Sequence, residues 1–153
     1  MKGMSFLIIL VLCVSACKTQ KKASEKSTEN YMLEKVDAAL VEKYWKLTEL
    51  DGNPVIVNDN QAKEAHIIFK TDGRFNGDAG CNRITGSYRT EKSGRITFSQ
   101  TASTKMMCLN MDTETKFLKM LETADSYTVQ NDTLVLNKAR MAPLARFVAV
   151  YLK

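Results

Sequence analysis

The sequence predicts a small α+β domain in which successive antiparallel strands are covered by one helix. From Tyr44 onward, apolar and polar residues mostly alternate and turn residues recur at short intervals, which is typical of antiparallel strands. Residues 112–124 instead place apolar side chains on one helical face. The chain has 153 residues, of which 44% are hydrophobic and 25% are charged, and this composition suits one globular domain with an appendage.

The predicted strands are short and separated by turns. Trp45 and Leu47 share one face of the first strand, which ends at residues 51–54 because Gly and Asn tolerate positive φ and Pro cannot donate to a ladder. Later strands are predicted at residues 66–70, 74–75, 84–90, 96–98, 127–129, 134–136 and 144–152.

The predicted helix presents Phe117, Leu118 and Leu121 on one face, which we expect to cover the sheet. Asp112 is available as its N-cap, and Glu114 falls in the first turn, where a negative charge is favourable.

The first seventeen residues predict export and a lipid anchor. Lys2 precedes an apolar run at residues 6–14, and small residues follow, which is how a secretory signal is built. The run is far shorter than the roughly 20 residues of a membrane span. The segment closes with VSAC at residues 14–17, which resembles a bacterial lipobox. The resemblance implies that Cys17 is acylated and becomes the mature N-terminus. Simple secretion with an incidental cysteine is the alternative.

Residues 17–43 are predicted to link this anchor to the domain. Residues 18–30 carry no aromatic or large aliphatic side chain, so we expect a flexible tether with a reach of roughly 20 Å. Residues 31–44 fit either a short helix or a lead-in packed against the domain, because their apolar stripe is narrow. Lys18 and Thr19 lack the aspartate that commonly retains lipoproteins at an inner membrane, so we expect the outer membrane where two membranes exist.

Three short patterns give residues 44–153 a family resemblance. A W-x-L strand comes first, followed by G-C-N-x-x-x-G-x-Y and then T-[KR]-M-x-C. In this order and spacing the chain resembles the META/HslJ family. The motif residues are Gly80, Cys81, Asn82, Gly86, Tyr88, Thr104, Met106 and Cys108, and Glu114, Phe117 and Leu118 follow them as part of the same resemblance.

The resemblance implies a strongly curved antiparallel sheet or open β-barrel with one packed helix. It also implies an envelope protein associated with stress, with no established catalytic activity and no cofactor. We therefore expect a non-catalytic module that binds an unknown envelope protein or an apolar ligand, and a monomer. A purely structural role in the envelope is an alternative.

The cysteine count fits an oxidising compartment. Cys13 would be lost with the signal peptide and Cys17 acylated, which leaves Cys81 and Cys108 as an even pair. A disulfide between them would stabilise the domain by about 3 kcal/mol in the chain-entropy model. Two buried free thiols are the alternative.

Four neighbouring residues suggest a second function. Met106, Met107, Cys108 and Met111 form a cluster of soft ligands of the kind that Cu(I) prefers. Against a copper site, Met is an ordinary core filler, and Cys108 in a disulfide could not supply a thiolate. Soft-metal handling through Met106, Met107 and Met111 is therefore an alternative, and no other metal site is predicted.

Other chemistries lack support in the sequence. His66 is the only histidine, and nothing in the sequence places it beside Cys81 as a catalytic base. Residues 72–78 faintly resemble a calcium loop, but Arg74 and Arg83 occupy positions that need oxygen ligands. The net charge of +5 is dispersed along an exported chain, which argues against a nucleic-acid partner.

Overall fold

The computed structural model describes residues 37–56, 63–109, 111–139 and 141–151. The predicted signal peptide at residues 1–16, the acylated Cys17 and the tether lie outside these ranges. No helix among the described residues is long and apolar enough to cross a membrane.

Within the described ranges the chain forms nine strands and one helix, α1, which lies between the sixth and seventh strands. The elements are β1 (Tyr44–Leu50), β2 (Asn53–Pro54), β3 (His66–Phe69), β4 (Arg74–Asp78), β5 (Arg83–Thr90), β6 (Ile96–Ser103), α1 (Asp112–Thr123), β7 (Ser126–Gln130), β8 (Thr133–Asn137) and β9 (Pro143–Val150).

The strands form one antiparallel sheet in the order β6-β5-β4-β3-β1-β9-β8-β7, with β2 paired to the end of β1. The sheet curls so strongly that its two edge strands, β6 and β7, meet at one end. There the backbone N–H of Ile96 donates to the carbonyl of Asp125 over 3.1 Å, and the N–H of Tyr127 donates to the carbonyl of Gly94 over 2.8 Å. The result is a half-barrel with one helix, which confirms the predicted fold class.

The core lies between the curled sheet and α1. The helix buries Phe117, Met120 and Leu121 against the sheet. The rings of Phe117 and of Phe147 on β9 pack edge to face, with their centroids 6.0 Å apart. The helix covers the sheet on one face as predicted, but Met120 is buried in that face and the predicted Leu118 is only half-buried. Among the described residues, five aromatic side chains are fully buried: Trp45, Phe69, Phe75, Phe117 and Phe147.

The structure corrects the predicted start of the helix. Asp112 is not the N-cap, because Met111 occupies that position and makes no side-chain capping hydrogen bond. Asp112 is the first helical residue, and its carboxylate instead pairs with Lys116 one turn later, at 3.0 Å.

Several further boundaries differ from the prediction, such as that of β4, which continues past Phe75 to Asp78, and two of these differences affect the core and the sheet edge. The described part of the possible helix at residues 31–44 forms turns up to Glu42, and Leu40 in those turns is fully buried against the core. β6 continues past Phe98 to Ser103, because backbone pairing with β5 extends the strand where side-chain alternation has stopped.

Candidate functional site

A buried amide joins three elements at one end of the sheet. Asn82 precedes β5, is 1% exposed, and places its Nδ2 atom 3.0 and 3.1 Å from the two carboxylate oxygens of Glu114 on α1. Its backbone N–H donates to the same carboxylate over 3.0 Å. These bonds satisfy a carboxylate that is only 5% exposed. The start of α1 is thereby fixed to the start of β5.

The same side chain holds the segment after β6, residues 104–109, which we call the tip loop. The Asn82 Oδ1 atom accepts from the Thr104 hydroxyl and from the backbone N–H of Met106, both at 2.7 Å. The Asn82 Nδ2 atom also donates to the carbonyl of Met106 over 2.9 Å. One asparagine therefore sets the path of the loop.

A disulfide closes the tip loop covalently. Cys81 and Cys108 are bonded, with their Cα atoms 6.1 Å apart. This is the pairing that the cysteine count predicts. It leaves Cys81 without a free thiol to act as a nucleophile, and it removes the Cys108 thiolate from the predicted Cu(I) ligand set.

The tip loop turns its apolar side chains outward. Met106, Met107 and Leu109 are 60%, 95% and 88% exposed. Other exposed large apolar side chains in the described ranges are scattered along the chain, at Ile56, Met141, Val148 and Tyr151. Grouped apolar exposure of this kind marks interaction sites, whereas single exposed residues need no explanation.

Of the predicted Cu(I) ligands, only the thioether groups of the methionines are left, because Cys108 is in the disulfide. Met106 and Met107 point outward with the tip loop, and Met111 is partly buried before the helix. The described residues contain no group of three or more His, Cys, Asp or Glu side chains placed to hold a metal ion.

A shallow groove of about 560 Å³ lies beside the tip loop, on the outer face of β3 to β6. The carboxylate of Asp78 in its wall is already occupied, since it lies 3.5 Å from the Lys63 ammonium and accepts from the N–H of Gly80 over 3.0 Å. Arg83, by contrast, forms no ion pair with any described residue. The polar side chains of the wall are His66, Asn76, Asp78, Arg83, Thr85, Ser103 and Thr104.

A polar cluster flanks the groove at His66. The His66 ring stacks on Tyr44 at 4.2 Å, and its Nδ1 atom lies 3.0 Å from the carbonyl of Glu64. Burial and then the hydrogen bond to Glu64 raise the pKa of Tyr44 to about 12. The hydrogen bond from Lys46 lowers the pKa of the Glu64 carboxyl. His66 is thus part of a surface network, and its described contacts do not include Cys81.

The predicted motif residues separate into two groups. Gly80, Cys81, Asn82, Thr104, Met106 and Cys108 come together around the tip loop. Gly86 and Tyr88 lie farther along β5, where Gly86 leaves room for the ring of Phe75 and Tyr88 donates its hydroxyl to the carbonyl of Lys70 over 2.8 Å. A Cβ at Gly86 would fall 2.6 Å from that ring, which explains the glycine.

Sequence reasoning missed the groove and the contact between Asn82 and Glu114. Strand alternation does place Asn76, Arg83 and Thr85 on the outward positions of β4 and β5, and this signal could have indicated a shared face. The family resemblance includes both Asn82 and Glu114, but it did not predict their contact, because the two residues are 32 positions apart and lie on different elements.

Comparisons with known proteins agree with this fold. Residues 38–151 match the family model of the META domain. A solved NMR structure of a protein from Burkholderia xenovorans is 20% identical, with a TM-score of 0.59, and the match covers 94% of this chain and all of that one. A comparison with curated proteins found no match.

Two more solved structures share the fold. One NMR structure is 22% identical with a TM-score of 0.58, and the match covers 74% of this chain and 96% of that one. A crystal structure of a DUF4847 family protein from Bacteroides vulgatus is 16% identical with a TM-score of 0.51, over 71% of this chain and 93% of that one.

Proposed function

The chain belongs to the META domain family, and from this premise we propose that it is a lipid-anchored bacterial envelope protein whose domain binds a protein partner during stress without catalysing a reaction. The predicted signal peptide and acylation of Cys17 support the anchor, and the tether would let the domain reach partners off the lipid surface. The predicted domain boundaries at residues 44 and 153 remain predictions.

The observation that carries the proposal is the outward display of Met106, Met107 and Leu109 on a fixed loop. Burying a side chain of this kind against a partner is favourable by about 1.5–3 kcal/mol. A soluble domain gains nothing by showing three of them to water within four residues, so we infer that a partner covers them.

The fixed path of the tip loop adds to the argument. Asn82 and the disulfide between Cys81 and Cys108 hold both ends of the loop before any partner arrives. A preformed surface loses less conformational freedom on binding than a flexible one, so more of its burial free energy becomes affinity.

Site-specific crosslinking in the native envelope tests the proposal. A photoreactive amino acid replaces Met107 in the acylated protein, and a matched control replaces Lys119, which is also exposed but lies on the helix. We expect stress-dependent crosslinks to a defined partner from position 107 and none from position 119. Equal crosslinking at both positions, or none at either, would contradict a binding role for the tip loop.

A second variant separates binding from folding. Replacing Met106, Met107 and Leu109 together by serine removes apolar area without touching the core, so we expect an unchanged melting temperature. Crosslinking from a probe at Lys105 should then disappear. Persistence of the same crosslinks would show that the apolar side chains are not what the partner contacts.

A further inference from the structure

We propose that the outer edge of β6 takes up an extended acidic peptide segment of the partner as an additional strand. The inference rests on the proposed function in one respect, namely that the domain binds a protein, and it names the binding mode and the charge of that protein's segment. We call residues 97–103 the free edge.

The backbone of the free edge has no partner among the described residues on the side away from β5. β7 meets β6 only near Ile96, whose N–H donates to Asp125, so the N–H of Phe98 two positions later also faces outward. At the other end the N–H of Thr104 donates inward to the carbonyl of Arg83, so that of Ser103 faces outward. Outward donors therefore flank the middle of the edge.

The free edge is also open on both faces. Ser99, Gln100, Thr101 and Ala102 are all exposed, so neither sheet face covers them. From Ile96 to Thr104 there is no charged residue and no proline, although natural edge strands commonly carry such residues to prevent pairing. The one irregularity is the bulge at Gln100, which has a φ of 52° and lies between the two outward donors.

Charge selects among the strands that could pair there. Residues 83–105 contain five basic side chains and one acidic one, whereas the other described residues contain nine basic and twelve acidic ones. None of these six side chains forms an ion pair within the described ranges. Two copies of this edge would repel each other, and an acidic segment would be attracted. The six residues are Arg83, Arg89, Glu91, Lys92, Arg95 and Lys105.

The free edge leads directly into the two features already described. Ser103 and Thr104 line the groove that contains Arg83, and Thr104 begins the tip loop. A strand added to β6 would gain main-chain hydrogen bonds along the edge and side-chain contacts at its end, which is how strand addition combines affinity with specificity.

The test uses the full mature chain and a capped synthetic peptide of alternating glutamate and valine as the probe. Hydrogen exchange followed by NMR should slow at least tenfold at the amides of Phe98 and Ser103 when the peptide is saturating. A peptide with lysine in place of glutamate should bind at least tenfold more weakly. Equal binding of the two peptides would overturn the charge argument, and unchanged exchange at both amides would overturn strand addition.

Variants give an independent readout. Ser103→Pro removes an outward N–H that the ladder to β5 does not use, so the fold should tolerate it, and peptide affinity should fall at least tenfold. Ser103→Ala keeps the N–H and should bind as the parent does, with both melting temperatures compared first. Unchanged affinity in a folded Ser103→Pro protein would refute the proposal.

Charge variants test the attraction of the acidic probe separately. Arg83→Gln with Lys105→Gln should weaken binding several-fold, whereas Lys116→Gln with Lys119→Gln on α1 should leave it unchanged. Sedimentation without peptide should show a monomer; a dimer whose Phe98 and Ser103 amides are already protected would mean that a second copy occupies the edge instead.

The outcomes distinguish this inference from the proposed function. Crosslinks from Met107 that persist in the Ser103→Pro protein would leave a protein-binding role standing and remove strand addition. Peptide binding without any crosslink from Met107 would support the edge and reject the tip loop as the contact surface.

Discussion

β5 and β6 are neighbouring strands of the same hairpin, and each contains eight residues. Only β5 buries side chains in the core along its whole length. Every second residue of β5 is buried, from Ile84 to Thr90. β6 buries Ile96, half-buries Phe98 and then exposes four residues in succession. β5 therefore contributes to the core with its side chains, whereas the second half of β6 is joined to the domain through backbone pairing.

The difference shows where the domain concentrates its stability. The second half of β6 has no buried side chains, so its position depends on its ladder with β5 and on the anchoring of the segment that follows. Asn82 and the Cys81–Cys108 disulfide provide that anchoring. Apolar side chains of the tip loop can be exposed in this way without weakening the core.

The largest expected loss of stability comes from replacing Asn82, the side chain that holds the tip loop. Asn82→Ala deletes the side-chain hydrogen bonds that fix the tip loop and leaves the buried Glu114 carboxylate with only the backbone N–H of residue 82, so we expect a loss of about 3 kcal/mol. Urea unfolding measures the change. Asn76→Ala, an exposed amide in the groove, should shift stability by no more than about 0.5 kcal/mol. Equal losses of unfolding free energy in the two variants would show that Asn82 does not hold the tip loop and the helix in place.

A direct comparison of the two strands should give the next largest effect. Ile84→Ala on β5 creates a cavity in the core and should destabilise the domain by at least about 2 kcal/mol. Thr101→Ala on β6 should change stability by less than about 0.5 kcal/mol, because its side chain is exposed. Thermal unfolding of both proteins checks the prediction. A comparable loss at Thr101 would show that β6 is packed in a way its exposure hides.

The smallest effect should appear on the outer face, at Glu64, and depend on pH. Lys46 lowers the pKa of the Glu64 carboxyl in the folded protein, so its contribution is present above the unfolded pKa of about 4.3 and is lost as pH falls through the lower folded pKa. The Lys46 and Glu64 side chains are each 38% exposed, so water screens the pair and Glu64→Gln should cost less than about 1 kcal/mol at pH 6.

Urea titrations of the parent and the Glu64→Gln protein at pH 6 and pH 3 measure this difference. The gap in stability should narrow at the lower pH, because protonated Glu64 and glutamine are both uncharged. A gap that widens on acidification would contradict the pKa direction.

Sequence reasoning found the elements whose side chains alternate and missed the features that depend on backbone geometry. Alternation identified β5 and helical spacing identified α1, because burial imposes those periods. The second half of β6 shows no such period, so the prediction stopped at Phe98. Asp112 has the chemistry of an N-cap, and only the backbone path shows that Met111 holds that position.

The site was predictable in its membership and not in its arrangement. The motifs contain Asn82, Thr104 and Cys108, and the cysteine count predicts the disulfide. That Met106 and Met107 face water could not be read from the chain, since methionine is common in cores. Only the folded loop shows which side they occupy.

The pairing of β1 with β9 determines when the domain can fold during its synthesis. Tyr44 lies opposite Val150, so the first and last strands are neighbours at the centre of the sheet. Contacts this distant in sequence form slowly, because the entropy of closing a long loop is lost before the stabilising hydrogen bonds form. A chain still emerging from the ribosome has no β9, and the edge of β1 that β9 covers stays open until β9 has been made. We therefore expect the domain to fold as one unit, and only once β9 is available.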